Sequence, residues 1–141
     1  MMFQEKLLSS LSDLIKSGDV VVENTSDKYF AQLGAMFPAF GSKIDWKEIP
    51  ESIEEIAKED EYIESCSNFF MKICEKNGLG GRVVLIGDSA IESALIMPVD
   101  VLKLCLKQVL EIPQHHYIFA EDYSWCMSFT MEGGMAFGFK P

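Results

Sequence analysis

The stretch 117–139 constrains the fold more than any other part of the chain. Trp125, Met127 and Phe129 alternate with Ser124, Cys126, Ser128 and Thr130, the period-two pattern of a half-buried strand. Met135, Phe137 and Phe139 repeat it, alternating with Ala136 and Gly138 after the turn signal Glu132-Gly133-Gly134. Tyr117-Ile118-Phe119 reads as a strand before them, with Glu121-Asp122 as the intervening turn. The expectation is an antiparallel meander of three strands closing the chain. One face of such a sheet needs apolar cover, and the rest of the chain must supply it.

Amphipathic helices are available for that purpose. Phe3, Leu7, Leu11, Leu14 and Ile15 predict a helix over 3–17, ended by Gly18. Val20-Val21-Val22 reads as a short strand. Thr25, Ser26 and Asp27 offer N-caps to a helix over 26–36 that Pro38 stops. Ala39 to Pro50 reads as a loop carrying Trp46. Pro50, with Ser52 and Glu55 at capping-box spacing, opens a long helix over 51–76 that Asn77-Gly78 ends. Arg82 to Gly87 is a glycine-bounded, β-branched run that reads as a buried strand. Pro98 begins a last helix, to about residue 111, with Val101, Leu102, Cys105, Leu106, Val109 and Leu110 on its apolar stripe. The order implies a single α+β domain over 1–141, with N-terminal helices packed on a mostly antiparallel sheet.

Charge bounds the partners. Twelve Lys and Arg against 22 Asp and Glu leave a net charge of −10. Such a field repels nucleic acid and anionic membrane surfaces, and it speeds encounter with a basic protein. Acidity of this size also serves solubility alone. The start of the chain lacks the cationic and apolar regions of a secretion signal, and no apolar run reaches membrane-spanning length. A cytoplasmic address is the expectation. There Cys66, Cys74, Cys105 and Cys126 would be free thiols serving as small core residues.

Few residues suggest catalysis. Gly87-Asp88-Ser89 after a strand is reminiscent of the nucleophile block of GDSL-type hydrolases, but neither His115 nor His116 has an acid three residues before it. His115-His116 is the only histidine pair. Neighbours on a strand point to opposite faces, so they would not share a metal ion; one would sit at the sheet rim and the other in solvent. Gly78-Leu79-Gly80-Gly81 precedes a strand rather than a helix, so it is a connection and not a phosphate loop. No cofactor, metal or catalytic site follows from the residues, and a small hydrolase using Asp88 and Ser89 ranks last among the functions weighed.

Acidic clusters are the best functional candidates. Asp45, Glu48, Glu51, Glu54, Glu55, Glu59, Asp60, Glu61 and Glu64 crowd one stretch, offset only by Lys47 and Lys58. On a helix, Glu54, Lys58 and Glu61 would share one side, and Glu51, Glu55 and Glu59 an adjacent one. Either this face or the turn carrying Glu121, Asp122 and Tyr123 suits contact with a basic partner. Trp125, beside that turn, is expected in the core. A merely solvated face would look the same.

The run from Pro113 to Gly133, PQHHYIFAEDYSWCMSFTMEG, resembles the closing hairpins of bacterial immunity proteins from contact-dependent inhibition and related polymorphic-toxin systems. The likeness is a Tyr-containing strand, an acidic turn, a Trp-containing strand, and Glu-Gly before a final aromatic strand. It implies a protein that is not an enzyme. Such a protein binds the C-terminal toxin domain of a secreted effector, often a nuclease, and blocks its active site one-to-one. The contact residues expected for that role are Glu54, Glu55, Glu59, Asp60, Glu61, Glu121, Asp122 and Tyr123. The alternative is an acidic interaction or regulatory domain unrelated to toxins.

Overall fold

Seven strands pair into one antiparallel sheet in the computed structural model, which describes residues 2–40 and 43–141. In chain order the elements are α1 (Met2–Ser10), α2 (Ser12–Lys16), β1 (Val21–Glu23), α3 (Asp27–Met36), β2 (Ala39–Phe40) and β3 (Lys43–Ile44). A 3-10 turn (Trp46–Glu48), β4 (Ile53–Ile56), α4 (Tyr62–Asn77), β5 (Arg82–Gly87), β6 (Ala94–Pro98) and α5 (Val99–Leu110) follow. The chain closes with β7 (His116–Ala120), β8 (Trp125–Phe129) and β9 (Gly134–Phe139). The sheet order is β1-β6-β5-β7-β8-β9-β4, and β2 and β3 form a separate small ladder. The α+β class and the meander β7-β8-β9 stand as expected.

Strand alternation sorts the core into two layers. Val83, Leu85, Leu95, Met97, Ile118, Met127, Phe129 and Phe137 join one buried cluster with Leu7, Phe70, Ile73, Leu102 and Leu106 of α1, α4 and α5. Val84, Ile86, Ile96, Phe119 and Cys126 join a second cluster with Leu33 of α3, Phe37, Trp46 and Ile49. Both faces of the sheet are therefore covered, and the pattern on β8 is corrected: all five of its residues are buried. Gly138 on β9 makes the second layer possible there. A Cβ at that position would stand 2.9 Å from Ile49 Cγ2 and 3.2 Å from Trp46 Cζ3. Each fully buried Leu, Ile or Phe contributes about 1.5–3 kcal/mol relative to exposure.

The largest departure from expectation lies at 51–76. No helix spans that range. Ile53–Ile56 is the edge strand β4, with Ile53 opposite Phe137 and Ile56 opposite Gly134. The helix begins only at Tyr62. The spacing of Ile53, Ile56 and Ala57 fits a helix turn, but β9 offers a row of unpaired backbone groups, and pairing with it satisfies that row and the facing row of β4. A helix through 51–59 would also have stacked Glu51, Glu55 and Glu59 at four-residue intervals, which is unfavourable. Ser52 makes no capping box; its Oγ donates to the Trp46 carbonyl at 2.7 Å. Gly78 does end α4, in the left-handed conformation at φ 60°.

Smaller differences have local causes. The N-terminal helix breaks at Leu11, which is itself buried in the core at 1% exposure. β6, at 94–98, has no counterpart among the expected elements; its Ala94 to Met97 are all buried. Of the expected loop 39–50, residues 41 and 42 lie outside the described residues, and the remainder holds β2, β3 and the 3-10 turn. All four cysteines are buried free thiols. Burial pushes the thiols of Cys66, Cys74 and Cys105 up to about 11, away from reactive thiolate. No helix among the described residues is long and apolar enough to cross a membrane.

Candidate binding surface at one end of the sheet

Strand registers set the two ends of the sheet apart. Gly87, His116, Phe129, Met135 and Glu55 stand in one row across five strands. The connections beyond that row are 57–61, 88–93, 111–115 and 130–133. The turn between β7 and β8, with Glu121, Asp122 and Tyr123, leaves the other end, about 17 Å away along a five-residue strand. The expected contact residues therefore fall into separate places. Glu59, Asp60 and Glu61 lie at the first end, and Glu121, Asp122 and Tyr123 at the second. Glu54 and Glu55 point to opposite faces of the edge strand that leads into the first end.

A groove of about 620 Å³ opens at the first end, between the start of α4, the end of α5 and the β8–β9 turn. Its walls carry Glu59, Asp60, Glu61, Glu64 and Glu111, and apolar surface comes from Tyr62, Ile63, Leu110, Ile112, Pro113 and Met131. Glu64 pairs with Lys107 at 3.0 Å and Glu61 with Lys58 at 3.7 Å. Glu59, Asp60 and Glu111 have no ion pair among the described residues. The first three acids are among the contact residues expected from the sequence; Glu64, Glu111 and Met131 are not, and only chain reversal brings Glu111 and Met131 to the groove.

The loop 88–93 is held by side-chain amides. Gln114 Oε1 accepts from the backbone N–H groups of Ala90 (2.9 Å), Ile91 (3.1 Å) and Ser89 (3.4 Å). Gln4 Oε1 accepts from Glu92 (2.7 Å) and Ser93 (3.0 Å). Five successive N–H groups, aimed as an anion nest would be, are thus filled from within the chain.

Asp88 and His115 meet beside this loop. Asp88 Oδ1 accepts the His115 backbone N–H at 3.0 Å, and His115 Nε2 lies 4.0 Å from Asp88 Oδ2. The Met131 N–H donates to His115 Nδ1 at 2.9 Å. With Nδ1 accepting, the ring carries its proton on Nε2 and faces Asp88. No ring nitrogen is left free to take a proton from Ser89, and no hydrogen bond joins the Ser89 hydroxyl to a histidine among the described residues. His115 is not a solvent-facing histidine, as expected of one of the pair: its side chain is 15% exposed, its Nδ1 accepts the Met131 N–H, and its Nε2 stands 4.0 Å from the Asp88 carboxylate. Its neighbour His116 is 1% exposed. His116 Nε2 donates to the Ile112 carbonyl at 3.0 Å, and Nδ1 has no partner. Burial pushes the His116 imidazole down to about 4.

At the second end one of the two carboxylates is paired. Glu121 pairs with Arg82 at 3.5 Å, and Asp122 Oδ1 accepts the Ser124 N–H at 3.0 Å. Tyr123 adopts φ 62° and stacks on Phe119 at 5.0 Å between ring centroids. Trp125 is core, 4% exposed. Its aromatic character therefore does not reach a partner. No group of three or more His, Cys, Asp or Glu among the described residues is arranged to hold a metal ion. Compared with known proteins, the chain matches no family model and no curated protein.

Proposed function

We propose that the chain is an immunity protein that neutralises a basic toxin domain, with the acidic end of the sheet as its docking face. The observation that carries this reading is the groove at the start of α4. Five carboxylates surround apolar side chains there, three of them without an ion pair among the described residues. A basic surface built to hold phosphate carries the complementary charge. The apolar surface supplies what electrostatic attraction alone does not, a slow release. Cytoplasmic residence and one-to-one blockade of a nuclease-type active site complete the proposal. The resemblance of residues 113–133 to immunity-protein hairpins supports the toxin-directed form over a general acidic interaction domain.

Growth rescue tests it. The C-terminal segment of the protein encoded immediately upstream is expressed with and without this chain. Toxicity that co-expression abolishes supports the proposal. A toxic segment that the chain does not rescue, or a harmless one, counts against it.

A further inference from the structure

Among the described residues, one buried side-chain polar atom has no partner in the chain, and it is His116 Nδ1. His116 is buried on the face of β7 that carries Ile118, under α1 and α5. Its Nε2 stands 3.0 Å from the Ile112 carbonyl oxygen. A carbonyl oxygen only accepts, so Nε2 carries the ring proton and Nδ1 presents a bare lone pair. A buried acceptor of this kind is costly unless a donor meets it, and native interiors meet nearly all of theirs.

A small internal space adjoins the ring. It measures about 10 Å³, and Leu7, Leu95, Val109, Ser93 and Gln114 line it together with His116. One water molecule needs roughly 10–15 Å³, so the space takes one water and nothing larger. Cavities with purely apolar walls stay dry, whereas a bound water needs about two to four polar partners. Three side chains on these walls can provide them. His116 Nδ1 accepts, the Ser93 hydroxyl donates or accepts, and Gln114 Nε2 donates while its Oε1 is held by the amides of Ala90 and Ile91.

We infer that a single water molecule is bound in this space, donating to His116 Nδ1 and bridging it to Ser93 and Gln114. Ser93 ends the 88–93 loop, and Gln114 already holds that loop through Oε1, so the water adds β7 to the contacts that fix it. Ile112 and Gln114 also line the acidic groove, which places the water behind one of its walls. The inference stands without the immunity reading, since it concerns only the interior of this chain.

NMR of the isotope-labelled full chain at neutral pH tests it. Cross-relaxation between water and protein should show a long-lived bound water at the methyl groups of Leu95 and Val109. The His116 Nδ1 resonance should be that of an unprotonated ring nitrogen that accepts a hydrogen bond. Ser93→Ala removes the hydroxyl whose proton exchange imitates a bound water, and the methyl signals should persist in it. His116→Phe keeps the ring and removes the acceptor, and the signals should vanish. Absence of the signals in the parent chain overturns the inference, as does their survival in a folded His116→Phe. Loss of the signals in Ser93→Ala overturns it by assigning them to the hydroxyl. An Nδ1 resonance of a protonated or unbonded nitrogen also overturns it. Should His116→Phe not fold, the Nδ1 resonance and Ser93→Ala decide the matter by the same criteria.

Discussion

The side-chain amide of Gln114 occupies the space where a Cβ on Gly87 would stand. Gly87 ends β5, and Gln114 precedes β7, so this contact locks the 88–93 loop to the strand it leaves. Gln114 is 3% exposed, and the N–H groups of Ala90 and Ile91 that it satisfies are buried with it.

Gly87→Ala should therefore expel Gln114 and orphan those amides. Each buried unsatisfied group costs about 1–3 kcal/mol, so a loss of about 2–6 kcal/mol is expected for the two amides. Gln114→Ala should fall in the same range. Urea unfolding measures both, and a double variant no worse than either single one would show that they act through one contact.

His116 makes stability fall in acid. Its imidazole is neutral when folded down to about pH 4, whereas the unfolded chain takes up the proton from about 6.5. Between those values the unfolded state binds more protons, so stability rises with pH and is lost as pH falls through the window. The full effect is on the order of 3 kcal/mol. His116→Gln should flatten the pH dependence of the unfolding free energy between pH 6.5 and 4.

Charge reversal separates the two ends of the sheet. Glu59→Lys with Asp60→Lys should slow association with a basic toxin domain by about tenfold at about 0.1 M ionic strength and reduce the salt dependence of the rate. Glu121→Lys with Asp122→Lys, at the far end, should leave the rate within about twofold of the parent, because screening is strong beyond about 10 Å. Stopped-flow association with the purified partner reads both. Equal effects at the two ends would remove the groove from the interface.

The edge strand β4 leaves one row of backbone groups unpaired, and Glu54 and Glu55 guard it. Replacing both by Val should promote self-association at unchanged monomer fold, detectable by light scattering. Loss of the 2.9 Å pair between Glu55 and Lys72 is a minor part of the effect, worth about 0–1 kcal/mol at its half-exposed position.

Trp125→Ala should cost about 3–5 kcal/mol in thermal or urea unfolding, the range for truncating a buried aromatic.

The sequence by itself determined the elements whose pattern admits one reading. The alternation of Trp125, Met127 and Phe129, and that of Met135, Phe137 and Phe139, set β8 and β9. The glycine-bounded run 82–87 set β5, and the six-residue stripe of α5 left no strand alternative. Local patterns of period two or 3.6 suffice there because burial on the matching face is large. Tertiary structure decided the rest. The spacing of Ile53 and Ile56 fits a helix turn rather than period two, and only the open edge of β9 made them a strand. Tyr117 and Phe119 could have faced solvent or a layer, and only the return of α3 and Trp46 over the sheet buried them. The acids at 59–61 were visible in the chain. Their groove was not, because Glu111, Ile112 and Met131 are brought to it by strand pairing between residues far apart in sequence, which no local pattern encodes.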